Sequence, residues 1–129
     1  MANLAVFGMG YVGSITAACF ASKGHHVIGV DVNPDKIELL RRGEPTVAEP
    51  GLRELVSASV RKGKLCVTQS VDDAVSRSDI SFVTVGTPPR RNGDVELDAL
   101  RSVLSEIGHS LRIPLIPIAL PSADPTKKA

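Results

Sequence analysis

The chain has 129 residues, of which 43% are apolar and 22% charged, with 15 Lys and Arg against 14 Asp and Glu. A net charge of +1 gives no field that would draw it to nucleic acid or to an anionic membrane surface. Its two cysteines, Cys19 and Cys66, lack CxxC or Cys/His spacing, which excludes a disulfide scaffold and a zinc site and fits one folded domain in a reducing, cytoplasmic setting.

Asn3 to Gly8 (NLAVFG) is a short apolar run that ends in glycine, and an alanine-rich stretch from Tyr11 to Lys23 follows at helical composition. This predicts strand, tight turn and helix. The glycines at 8, 10 and 13 break the apolar run, and no Lys or Arg precedes Lys23, so the segment is not a signal peptide. No run approaches the roughly 18 apolar residues of a membrane span. His26 to Asp31 (HVIGVD) has the β-branched composition of a parallel strand covered on both faces.

Asn33 before Pro34 predicts an N-cap with proline at the first helical position, and Gly43 supplies the stop, giving a helix over Pro34 to Arg42. A loop with prolines at 45 and 50 leads to a helix over Leu52 to Arg61, whose apolar positions 52, 55, 56 and 60 share one face. Leu65 to Thr68 reads as a short strand. Ser70 with Asp73 caps a helix through Arg77. Ile80 to Gly86 (ISFVTVG) is the clearest strand, and after the loop TPPRRNGD a helix is predicted over Leu97 to Arg112.

Strands alternating with helices imply a parallel sheet with right-handed crossovers. The expected fold is α/β, a Rossmann-type doubly wound sheet of about four strands in the order 3-2-1-4, occupying residues 1–112. Ile113 to Leu120 (IPLIPIAL) is apolar enough for a fifth strand, but prolines at 114 and 117 remove two donors that an inner strand needs. Residues 113–129 are therefore read as an irregular, proline-containing tail.

Gly8, Gly10 and Gly13 form GxGxxG directly after the first strand and open the first helix. In that context Gly8 serves the sharp turn, Gly10 lets the backbone approach a pyrophosphate, and Gly13 permits close packing of helix on strand. Unpaired N–H groups at the helix start face the phosphates. Asp31 ends the second strand, where a dinucleotide fold needs a carboxylate for the adenosine ribose hydroxyls. A carboxylate there repels a 2′-phosphate, and neither Val32 nor Asn33 supplies an arginine to offset it, so NAD is favoured over NADP.

The residues GMGYVG, GVDVNPDK, EPGL and VGTP, at 8–13, 29–36, 49–52 and 85–88, resemble the N-terminal domain of the UDP-glucose/GDP-mannose dehydrogenases. The resemblance runs from about Leu4 to Arg112, and VGTPPRRNGDVELDAL is somewhat closer to the GDP-mannose branch. It implies that Tyr11 and Val12 lie against the pyrophosphate, that Asp31 and Lys36 hold the adenosine ribose, and that Thr87 meets the cofactor beyond the fourth strand. Ligands of open parallel sheets do sit at the carboxyl ends of strands. Lys36 reads equally well as a solvated helix charge, and Glu49 as a structural turn residue.

Such enzymes oxidise the C6 alcohol of a nucleotide sugar to an acid in two NAD-dependent steps through a thiol-bound intermediate. The thiol of that family belongs to a glycine-rich motif that this sequence does not contain. Cys19 and Cys66 are expected to be small buried core residues, so no catalytic residue is carried over and the chain alone is expected to be inactive. After Arg112 the family pattern is expected to continue differently from IPLIPIALPSADPTKKA, a change that suggests a truncated or frame-shifted product. The remaining readings are a stand-alone dinucleotide module, a subunit working with a separate partner that binds the nucleotide sugar, or another Rossmann dehydrogenase of the 6-phosphogluconate or hydroxyacyl-CoA type. His25, His26 and His109 are read as boundary or surface residues, Arg90 and Arg91 as a phosphate clamp or a solvated turn. The outer edge of the fourth strand is expected to support self-association.

Overall fold

The computed structural model describes residues 1–111, in which four parallel strands alternate with five helices. The strands are β1 (Asn3–Phe7), β2 (His26–Val30), β3 (Leu65–Thr68) and β4 (Ile80–Val83), in the spatial order β3-β2-β1-β4. The helices are α1 (Tyr11–Ser22), α2 (Pro34–Arg41), α3 (Leu52–Arg61), α4 (Val71–Ser76) and α5 (Asp98–Leu111). The α/β class and the order 3-2-1-4 expected of a Rossmann-type sheet are what the chain adopts. The segment weighed as a fifth strand and read as an irregular tail, 113–129, lies outside the described residues.

The period of two along the central strands divides the core into two layers. Leu4, Val6 and Val27 face Ala17, Ala18 and Ala21 of α1 and Val56 of α3, whereas Ala5, Phe7, Ile28 and Val30 face Ala74 and Val75 of α4. Both faces of β1 and β2 are thus covered, which explains their unbroken apolar sequences. Alanine on the inner face of α1 brings that helix close to the sheet and sets its N-terminus over the end of β1.

Local signals fix the ends of the helices. The Asn33 side chain accepts from the Asp35 N–H at 2.9 Å, and Ser70 Oγ accepts from the Asp73 N–H at 3.1 Å, each worth about 1 kcal/mol. β4 is shorter than its sequence suggests. It pairs with β1 from Ile80 to Val83, after which Thr84 donates its N–H to the Phe7 carbonyl and turns its hydroxyl onto the Phe7 and Gly8 carbonyls at the end of β1.

The expectation that both cysteines are buried is wrong. Cys19 lies on the outward face of α1 and Cys66 on β3, an end strand of the sheet, and both are exposed. Arg77 packs on Cys66, with Nη2 to Sγ at 3.1 Å. Among the described residues no helix is long and apolar enough to cross a membrane, and no group of His, Cys, Asp and Glu is arranged to hold a metal.

Candidate functional site

β1 delivers the chain to Gly8, whose φ of +95° starts the turn and whose N–H donates to the Val30 carbonyl at 2.8 Å. Four side chains, from the ends of β4 and β2, from α1 and from the loop between α2 and α3, pin the next two peptides. In the Gly8–Met9 unit, the carbonyl accepts from Thr84 Oγ1 at 2.8 Å and the N–H donates to Asp31 Oδ2 at 2.8 Å. In the Met9–Gly10 unit, the Met9 carbonyl lies 3.1 Å from Ser14 Oγ and 2.8 Å from Thr46 Oγ1, with the two hydroxyls 2.9 Å apart. The turn is therefore built before any ligand arrives.

Gly13 sits where α1 crosses this turn. A Cβ there would overlap the Gly8 carbonyl oxygen and stand 2.7 Å from Thr84 Oγ1. At Gly10, by contrast, a Cβ would meet nothing within 4 Å. The first N–H groups of α1 have no intrahelical acceptor, the cap has no side-chain hydrogen bond, and the first turn holds no acidic residue. Open space at Gly10, in front of unbonded donors at the positive end of a helix, suits an anionic diphosphate.

Asp31 lies immediately beyond β2. Oδ1 accepts from the Asn33 N–H at 2.9 Å, Oδ2 holds Met9, and Lys36 Nζ is 3.9 Å from Oδ2. The carboxylate side chain is 9% exposed, largely enclosed beside the glycine turn. Lys36 is thus joined to Asp31, and the structure places Gly8, Gly10, Tyr11, Val12, Gly13, Asp31 and Lys36 around one end of the sheet. Tyr11 and Val12 are both exposed there. Thr87 is exposed in the loop beyond β4.

Four contributors escape the sequence reading, among them Ser14 on the inner face of α1. Thr84 and Thr46 have no motif to mark them, since each meets the glycine turn from a distant stretch of chain. Glu49, read as a turn residue, accepts the Tyr11 phenol at 2.6 Å. That bond and the carboxylate charge hold the Tyr11 phenol above its ordinary value of 10.0. The segment from Pro45 to Pro50 also borders an open groove of about 620 Å³ with Arg53 on its wall, and neither Asp31 nor Gly10 lines it.

Other candidates lie elsewhere. His25 accepts the Ala2 N–H at 3.2 Å and meets the Phe20 ring edge-on, while His26 begins β2, both at the opposite end of the sheet. His109 Nδ1 is 2.7 Å from the Ser105 carbonyl on α5. Arg90 pairs with Glu96 at 3.0 Å and so braces its own loop. This bond holds the Glu96 carboxyl below its ordinary value, helped by the Asp98 N–H at the start of α5.

The sequence profile of the UDP-glucose/GDP-mannose dehydrogenase family, NAD binding domain, matches residues 2–119. The chain belongs to this family. A GDP-mannose 6-dehydrogenase of Pseudomonas syringae pv. syringae is 44% identical over 110 residues, which is 85% of this chain and 25% of that protein. A UDP-glucose 6-dehydrogenase of Rhizobium meliloti is 39% identical over 111 residues, with the same coverage. The crystal structure of a ternary complex of GDP-mannose dehydrogenase from Pseudomonas aeruginosa superposes with a TM-score of 0.83 at 43% identity, covering 84% of this chain and 25% of that one. The chain thus spans about a quarter of the length of the curated relatives it matches. As the NAD-binding domain of the dehydrogenase family, it takes NAD as its cofactor.

Proposed function

We propose that this chain supplies the NAD site of a nucleotide-sugar 6-dehydrogenase working in the cytoplasm on a GDP-mannose- or UDP-glucose-type substrate. The observation that supports this most directly is the open space at Gly10 before the unbonded N–H groups of α1, with Asp31 beside it at the end of β2. In this reading the N–H groups of Gly10, Tyr11 and Val12 hold the diphosphate, Asp31 accepts from the adenosine ribose with Lys36 steadying its charge, and Thr87 contacts the cofactor from the β4 side. Bound NAD supplies the hydride acceptor for oxidation of the sugar alcohol.

The described residues provide binding and orientation and no nucleophile for a two-step oxidation, because Cys19 and Cys66 lie away from the glycine turn. This chain alone is therefore expected to bind NAD without turning over a nucleotide sugar. The sole tyrosine, Tyr11, stands at the site in a chain without tryptophan, so its fluorescence reports binding directly. Titration is expected to show saturable binding of NAD and, because the Asp31 carboxylate opposes a 2′-phosphate, about tenfold weaker binding of NADP. Equal affinity for the two, or NADH formation from GDP-mannose by the pure chain, would overturn the reading.

A further inference from the structure

We propose that Thr46, acting with Ser14, is a positioning residue for the cofactor, setting the direction of the donors in the glycine turn. The proposal rests on the NAD reading above and adds the device that aims the site. A peptide unit is planar and trans, so its carbonyl and its N–H point in opposite directions. Two hydroxyls sit on the Met9 carbonyl, and the Gly10 N–H of the same unit therefore faces away from them. Among the described residues no carbonyl or side chain accepts that N–H, and the space at Gly10 is open.

The preceding unit is held differently. Its N–H is fixed by Asp31 and its carbonyl by Thr84, so the Gly8–Met9 peptide keeps its orientation without Thr46. Only the Met9–Gly10 peptide depends on the two hydroxyls. Ser14 is 1% exposed and belongs to α1 itself, whereas Thr46 comes from the loop between α2 and α3 and ties that loop to the backbone of the turn. Each hydroxyl has one proton, so either both donate to the Met9 carbonyl, or one donates to it while accepting from the other. In each arrangement, loss of the Thr46 hydroxyl removes one of the two groups that hold this peptide and costs affinity for a diphosphate, while the adenosine contacts at Asp31 remain.

The test uses the full chain and three ligands: NAD, ADP and adenosine. Thr46→Val, which keeps the shape and removes the hydroxyl, is expected to weaken NAD and ADP by about tenfold and adenosine by less than about twofold. Thr46→Ser is expected to restore wild-type affinity. A second measurement needs no variant: the Gly10 amide resonance of the wild type is expected to move on adding ADP and to stay in place with adenosine. Thr46→Val with unchanged NAD affinity, or with equal losses for ADP and adenosine, overturns the proposal while leaving the NAD reading intact. So does a Gly10 amide indifferent to ADP. A wild-type chain that bound no NAD would overturn both.

Discussion

Gly13 and Gly10 belong to one motif but answer to different forces. The Cβ of Gly13→Ala would strike backbone atoms of the turn, which have nowhere to go because Thr84 and Asp31 hold them. That variant is expected to lose about 3 kcal/mol of stability in a urea melt. Gly10 has a φ of −82° and open space around it, so Gly10→Ala is expected to melt within about 1 kcal/mol of wild type and yet to bind NAD about tenfold more weakly. A Gly10→Ala chain that binds as well as wild type would show that the diphosphate does not approach there. Tyr11 offers a second check. Its phenol is held above 10.0 by the hydrogen bond to Glu49, and being the sole tyrosine it gives one clean phenolate absorbance step. Glu49→Gln removes the carboxylate charge and is expected to move that step toward lower pH. The sign for stability follows: a raised folded value favours the protonated form, so the contribution is full below the unfolded value and fades as pH climbs through the folded one. Tyr11 is exposed, so the effect is small and confined to alkaline solution.

Each secondary element obeyed a local signal, and the departures came where long-range contacts decide. Asn33-Pro34 and Ser70 could be read because a cap lies within three residues of what it caps. Leu52–Arg61 could be read because one apolar face repeats at helical spacing. The end of β4 could not, since the pairing closes where Thr84 meets Phe7 and Gly8, more than 70 positions earlier. Thr46 and Glu49 were hidden for the same reason: nothing in PTVAEPGL reveals that its polar atoms reach the turn at Met9 and Tyr11. The glycine turn and Asp31 stood out because their spacing is itself the geometric requirement. Cysteine burial failed because it depends on which strand ends the sheet and which way α1 is rotated. Both thiols are accordingly expected to react with a disulfide reagent in native buffer. Two thiols released only after denaturant would contradict the placement of Cys19 and Cys66.

Among the described residues the sheet is paired on both sides in its middle and on one side at β4. β1 is paired on both sides, by β2 and β4, while β4 pairs with β1 alone among the described residues. Ile80 is 50% exposed and Phe82 is half-buried against Phe20, so apolar surface accompanies that strand. The Thr84 N–H points at Phe7, and because successive N–H groups along a strand alternate in direction, the Val83 N–H points away from β1. Such an outward-facing donor calls for a backbone carbonyl from another strand. We propose that a second copy of the chain takes the place, pairing edge to edge at β4. Light scattering is then expected to show mass rising with concentration, and hydrogen exchange to show the Val83 amide slowing in step with it, while the Phe82 amide, bonded toward β1, stays slow at every concentration. A monodisperse monomer with a slow Val83 amide would mean that the chain covers this edge itself, and the pairing of copies would have to be abandoned.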